Sequence, residues 1–357
     1  MKKYNLALIG QGRSGKNIHG RFLRSDGNQY FIVKYVVETD EARREKAKGL
    51  YPGCETFSDY RDLYQLDDID LVVNTSCSEM HYEITKDLLN NGLNVLVEKP
   101  FARNRFECET LIRIAKEKGL LLTVFQQSFF APHYTKACEV IQSGVLGEIK
   151  QINIQYNGFA RRWDWQTLQK RMGGSAYNTG PHPIGLALGF LDFDKNAQVV
   201  YSRLDKALTC GDAEDCVKIL LTAPGKPLVD VEINSTDAYA NYNLKIQGSR
   251  GTFVSTLSAF KYKYIANKEL IPRAPIENFI QAEDGEPIYC SEKLDIQEVT
   301  GNTDVSGAFN IAVSKFYEEL YYAIDEGRPL SVTAEMATEI IAVIDKCHVD
   351  NPMPILF

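Results

Sequence analysis

The segment that most constrains the fold is Gly10-Gln11-Gly12-Arg13-Ser14-Gly15, which directly follows the apolar run Asn5 to Ile9. A G-x-G-x-x-G turn that closes a strand and opens a helix calls for a βαβ unit, with the next strand parallel to the first. Gly10 allows the tight turn, Gly12 lets a phosphate approach the backbone, and Gly15 lets the helix pack close to the strand. Arg13 and Ser14 open that helix, and a helix N-terminus favours negative charge. Glu38 ends the next apolar run, Phe31 to Val37, twenty-three residues after Gly15. An acidic residue there accepts hydrogen bonds from a ribose diol and repels a 2′-phosphate, so the pattern implies NAD, with NADP disfavoured. Arg43 and Arg44 lie close enough to soften that preference.

The rhythm continues as the turn demands. Asp70 to Thr75, Asn94 to Val97 and Leu120 to Phe125 are short, nearly unbroken apolar strands, as in a sheet covered on both faces. Helices fit between them, over about Glu79 to Asn91 and Arg105 to Lys118. Asn104 and Glu107 suit a helix start, and Gly92 and Gly119 suit helix ends. Beyond about Ser128 the pattern changes. Lys150 to Tyr156 alternates, with Ile152, Ile154 and Tyr156 on one face, which predicts a half-exposed antiparallel strand. Gln198 to Leu204, Cys216 to Thr222, Leu228 to Asn234, Asn243 to Gln247 and Thr252 to Ser255 are further strand candidates. Helices return with the stripe Val313, Phe316, Tyr317, Leu320 and Ile324, and again from about Ala334 to Lys346. Residues 258–308 show no assignable pattern. The expected division is an α/β Rossmann domain with a doubly wound parallel sheet over residues 1–127. An α+β domain with an open, mainly antiparallel sheet follows over 128–357.

Composition limits the function classes. A length of 357 residues suits roughly two domains of about 150 residues each. Forty basic against forty-seven acidic residues give a net charge of −7, which disfavours nucleic acid as a partner. No apolar run approaches the ~20 residues that span a bilayer, so no membrane association is expected. The run after Lys2-Lys3 ends at Ile9, too soon for a signal peptide. Eight cysteines without a C-x-x-C pair point to reduced thiols in a cytoplasm, and to no metal centre.

Two stretches carry candidate chemistry. Glu98-Lys99-Pro100 ends a strand on the edge where open α/β sheets bind ligands, and Pro100 forces a turn that aims Lys99 at the cleft. A solvated lysine at a strand end fits the spacing equally well. The second stretch runs from Gly173 to His182. Asn178 and His182 are four apart, hence on one face of a helical turn, and His182 precedes the apolar run Ile184 to Leu191. A titratable group at the mouth of an apolar helix suits a general base, but a histidine bonded to local backbone fits slightly better on spacing alone. Both tryptophans fall in Gly158 to Trp165, beside Arg161, Arg162 and Asp164. Aromatic faces stack on sugar C–H faces, so Arg161, Trp163, Asp164 and Trp165, with Tyr156 and Tyr239, make a candidate substrate wall.

These motifs, in this order, resemble the Gfo/Idh/MocA oxidoreductases. Also similar are Asn74-Thr75 with His81, Gly92 to Val97, Ser143 to Ile149 and Ala323 to Pro329, so the likeness spans nearly the whole chain. The resemblance implies catalytic Lys99 and His182, and an NAD site to which Thr75, His81, Glu98 and Lys99 also belong. It implies a sugar, glycoside or cyclic polyol as substrate, oxidised at a secondary hydroxyl, and a homo-oligomer, dimer or tetramer. A glycoside oxidised at ring C3 is the favoured variant. An NAD-using glycosidase with transient C3 oxidation and a non-catalytic NAD sensor are the alternatives. Three positions depart from the pattern. Asn178 stands where relatives commonly carry Asp, Gly185 where they carry an acid, and Phe129 where many carry Arg.

Overall fold

The computed structural model describes residues 2–267, 269–303 and 307–357. The chain runs through β1 (Tyr4–Ile9), a π-helical turn (Arg13–His19), α1 (Gly20–Leu23), β2 (Phe31–Val37), α2 (Glu41–Leu50), β3 (Glu55–Phe57) and β4 (Leu71–Asn74). Then come α3 (His81–Asn90), β5 (Val95–Val97), α4 (Arg105–Lys118), β6 (Leu122–Val124) and α5 (Pro132–Gln142). These strands form one parallel sheet in the order β3-β2-β1-β4-β5-β6. The order reverses at β1, between β2 and β4, and ligands bind doubly wound sheets at such a point.

Local chemistry explains the boundaries. Asn104 Oδ1 accepts from Glu107 N at 3.0 Å, and Glu107 Oε2 accepts from Arg103 N at 2.9 Å, so the two side chains satisfy free N–H groups at the start of α4. Gly119 ends the helix at φ +66°, a conformation that costs glycine least. The helix after the glycine turn opens wider than an α-helix, with Gly20 N donating to Gly15 O.

The second sheet lies beyond. Its strands are β7 (Ile149–Gln155), β8 (Gln198–Asp205), β9 (Cys216–Thr222), β10 (Leu228–Asn234), β11 (Leu244–Gly248), β12 (Gly251–Ser255) and β13 (Ala259–Ile265). A two-stranded ribbon, β14 (Ile280–Gln281) and β15 (Pro287–Ile288), precedes its last strand, β16 (Ile296–Asn302). Between β7 and β8 lie α6 (Ser175–Asn178) and α7 (Pro181–Phe190), and the chain ends with α8 (Ala308–Glu326) and α9 (Ala334–Asp350). The order is β16-β13-β12-β11-β7-β10-β9-β8. One expectation needs correction. The strand at Lys150 to Tyr156 pairs antiparallel with β11 but parallel with β10. The chain leaves β7, crosses through α6 and α7, and returns by the β8–β9–β10 meander, so β10 arrives in the same sense as β7.

The apolar positions set the packing. Pro181, Pro183 and Ile184 to Leu188 are buried, so α7 is apolar all round and sits between the second sheet and α9. The stripe Val313, Phe316, Tyr317 and Leu320 of α8 packs on Leu6, Leu8, Phe22 and Phe31. Residues 308–326 therefore cover one face of the first sheet, although they belong to the last part of the chain. All eight cysteines are free thiols. Among the described residues no helix is long and apolar enough to cross a membrane.

Candidate active site

A cleft of about 1120 Å³ runs along the carboxyl ends of the parallel strands. Ile9 at the end of β1, Gly10 after it, Glu38 after β2, Thr75 after β4 and Glu98 and Lys99 after β5 all line it. The glycines take three different roles. Gly10 has φ +92°, and a Cβ there would lie 2.7 Å from Thr75 O. A Cβ on Gly15 would lie 2.0 Å from Gly10 O, so any side chain would part helix from strand. A Cβ on Gly12 would meet nothing within 4 Å, because Gly12 faces the open cleft. Open space over a backbone turn at a helix start is what a pyrophosphate needs, so the residues present fit NAD. Arg13 and Ser14 line the cleft beside it.

Glu38 is buried, and its carboxylate is held in place. Oε2 accepts from Gln11 N at 2.8 Å and Oε1 from Asp40 N at 3.1 Å, while Arg43 stands 3.8 Å from Oε2. Thr75 braces the turn, donating from Oγ1 to Ile9 O at 2.7 Å. His81 is buried with Nδ1 2.7 Å from Pro100 O and Nε2 3.2 Å from Ser76 O. Burial holds the ring below the usual histidine range, against the pull of Pro100 O and Glu98. A neutral ring donates only once, and the shorter contact takes the proton. His81 thus braces the Lys99-Pro100 turn.

The second set of groups comes from the other side of the cleft. Lys99 Nζ donates to Asn178 O at 2.8 Å, which ties the end of β5 to the end of α6. His182 begins α7 and lines the same cleft, and its Nδ1 is buried with no partner among the described residues. Burial, reinforced by the Lys99 ammonium and opposed by Glu98, lowers the His182 pKa to about 3. The ring is therefore neutral above that pH and able to take a proton. Burial also holds Lys99 below the usual lysine range, Glu98 opposing this and Arg13 and Arg162 reinforcing it.

The Asn178 side chain is tied to the Trp-containing loop. Its Oδ1 accepts from Gln166 Nε2 at 2.9 Å, Gln166 contacts Arg162, and Arg162 NH2 pairs with Asp164 at 2.8 Å. The other two departures are neighbours in space. A Cβ on Gly185 would lie 3.0 Å from Ile340 Cδ1 and 3.3 Å from the Phe129 ring, so these two side chains crowd the space that an acidic side chain at 185 would need. Replacing Asn178 by Asp puts a negative charge on this face of the cleft. The His182 pKa is then expected to rise and the acidic limb of kcat/KM to move to higher pH. An unmoved limb would separate Asn178 from the base.

Asp164, Trp165, Asn178 and His182 share the cleft lining. Arg161, Trp163, Tyr156 and Tyr239 are not part of it, and Trp163 and Tyr239 are 75% and 85% exposed. Of the residues expected in the wall, Asp164 and Trp165 line the cleft, as does Arg162. Sequence reading missed Gln166 and Arg162 as lining groups. Among the described residues no cluster of His, Cys, Asp or Glu could hold a metal ion.

Comparison with known proteins agrees with this layout. Residues 4–126 match the model "Oxidoreductase family, NAD-binding Rossmann fold", and residues 138–349 match "Oxidoreductase family, C-terminal alpha/beta domain". The chain is 25% identical over 347 residues to the scyllo-inositol 2-dehydrogenase (NADP(+)) IolW of Bacillus subtilis (strain 168), covering 95% of this chain and 91% of that one. It is 28% identical over 263 residues to the oxidoreductase C26H5.09c of Schizosaccharomyces pombe, covering 71% and 70%. The solved structure of GenD2 from gentamicin A biosynthesis, in complex with NAD, superposes with a TM-score of 0.74 at 17% identity, over 98% of this chain and 95% of that one. With both family models matched in order along its length, the chain belongs to the Gfo/Idh/MocA family of NAD-binding oxidoreductases.

Proposed function

We propose that the protein oxidises a secondary hydroxyl of a sugar, glycoside or cyclic polyol with NAD. The observation that carries this reading is that Lys99 and His182 line the same cleft as the Gly10–Gly12 turn and Glu38. His182, held neutral, removes the hydroxyl proton as general base. The Lys99 ammonium hydrogen-bonds the same oxygen and stabilises its developing negative charge. NAD, when bound, supplies the hydride acceptor at its nicotinamide ring. Asn178 holds Lys99 through its backbone carbonyl, and with Oδ1 taken by Gln166 its amide nitrogen is the end that meets a substrate hydroxyl. Trp165 offers a ring face and Asp164 a carboxylate for further hydroxyls. The inositol substrate of the Bacillus relative fits this class.

Purified protein incubated with NAD and a panel of inositols, aldoses and aryl glucosides tests the proposal. NADH accumulating with a stable keto product is expected. Aglycone release without net NADH, or no turnover across the panel, would overturn it. Glu38 sets the cofactor preference by offering its carboxylate to a ribose diol. Glu38→Ala should weaken NAD binding more than NADP binding, read as the two Kd values by calorimetry; an equal loss for both would remove Glu38 from the ribose.

A further inference from the structure

Beneath Lys99 lies a buried chain of polar groups that the proposed mechanism does not use. Glu98, His19 and Tyr317 are each 3% exposed or less. Glu98 Oε2 accepts from Lys99 N at 3.0 Å. Glu98 Oε1 lies 3.1 Å from His19 Nε2, and His19 Nδ1 lies 2.7 Å from the Tyr317 hydroxyl. The three residues come from β5's end, the wide helical turn after the glycine motif and α8. A buried carboxylate that lacked such partners would be costly.

One assignment of donors and acceptors gives every group in this chain a partner. Burial raises the Tyr317 pKa well above its usual value, with Glu98 and Tyr51 adding to the effect, so its hydroxyl keeps the proton. His19 Nδ1, 2.7 Å away, takes that proton if the hydroxyl is the donor of this bond. A ring that accepts at Nδ1 carries its own proton on Nε2, where it donates to Glu98. Burial alone would raise the Glu98 pKa. The bond from His19 and the Lys99 ammonium oppose this and hold the carboxyl below the usual carboxylate range. Glu98 in turn is the group that opposes the fall in Lys99, which Arg13 and Arg162 face from the cleft.

We infer that His19 and Tyr317 are positioning residues for Lys99: the Tyr317 hydroxyl holds His19 as the neutral Nε2–H tautomer, which orients Glu98 and leaves its negative charge to support the Lys99 ammonium. This inference rests on the proposed role of Lys99, but its structural half is separable from activity. Tyr317→Phe is the sharpest probe. It removes one oxygen and keeps the ring stacked on Phe22 at 4.6 Å. Without the hydroxyl, Nδ1 loses its partner and nothing selects the Nε2–H tautomer that faces Glu98.

The test has two arms on the full chain. In ¹⁵N-histidine protein at neutral pH, with His19→Gln to assign the signal, wild type should show a neutral ring protonated on Nε2. Tyr317→Phe should lose that single tautomer and show both neutral forms in exchange. A wild-type ring protonated on Nδ1, or one unaffected by Tyr317→Phe, overturns the inference whatever the enzyme oxidises. In the kinetic arm, Tyr317→Phe should lower kcat/KM about tenfold and move its alkaline limb to lower pH, with NAD Kd unchanged. A folded variant with an unmoved limb would leave Tyr317 a packing residue and likewise overturn it.

Discussion

His182→Ala is expected to lower kcat by about 10²-fold or more at neutral pH, with NAD Kd unchanged, because the variant loses the base and none of the cofactor cradle. Lys99→Met should cost about as much, by removing the charge that meets the developing alkoxide. Steady-state NADH formation, read beside calorimetric NAD binding, checks both. The pH dependence follows from the site. His182 acts as base only when neutral, and its lowered pKa of about 3 keeps it so throughout the range above. Lys99 acts only when protonated, and burial pulls its loss of the proton below the usual lysine range. Wild-type kcat/KM should therefore stay level from weakly acidic to neutral pH and fall on the alkaline side. Near-wild-type rates in both variants would refute the roles given to these two residues.

The second large effect concerns the glycine turn, where two alanines should behave differently. Gly15→Ala drives a methyl group to within 2.0 Å of Gly10 O and 2.6 Å of Thr75 Oγ1. Overpacking of this kind typically costs about 1–3 kcal/mol, and here it distorts the cradle itself. Both a lower Tm and NAD binding weakened about tenfold or more are expected. Gly12→Ala meets no protein atom within 4 Å and sits at φ −74°, which alanine adopts freely. Its Tm should match wild type while NAD binding falls, because the methyl occupies the space left for phosphate. Thermal melts and calorimetry on the two variants check the contrast. Equal NAD affinity in Gly12→Ala and wild type would place the pyrophosphate elsewhere.

The first sheet was legible because its signals are local. The turn from Gly10 to Gly15, the cap at Asn104 and the stop at Gly119 each act within a few residues, and the apolar strands follow from burial on both faces. The second sheet was legible strand by strand, but its order was not. Nothing near Ile152 says that β10 lies beside it in the same sense, since that pairing depends on a crossover through α7. Residues 259–265 are a different case. Phe260, Tyr262 and Tyr264 alternate with Lys261 and Lys263, a strand signal present in the sequence and left unread.

The candidate site divides along similar lines. Lys99 and His182 stood out by position and residue type. Their shared cleft depends on α6 meeting the end of β5 across seventy-nine residues of chain. The wall residues do not all share one lining, because neighbours in a loop point in different directions: Trp165 lines the cleft while Trp163 is exposed. The link from Glu98 through His19 to Tyr317 joins residues 298 positions apart and has no sequence pattern at all.

The most direct test uses a substrate from the active class carrying deuterium on the carbon that bears the reacting hydroxyl. After a single turnover with unlabelled NAD, mass spectrometry locates the label. The expected result is deuterium in the reduced nicotinamide, with His182→Ala slowing its appearance about 10²-fold. Deuterium retained on the product carbon or released to water would contradict hydride transfer in this cleft.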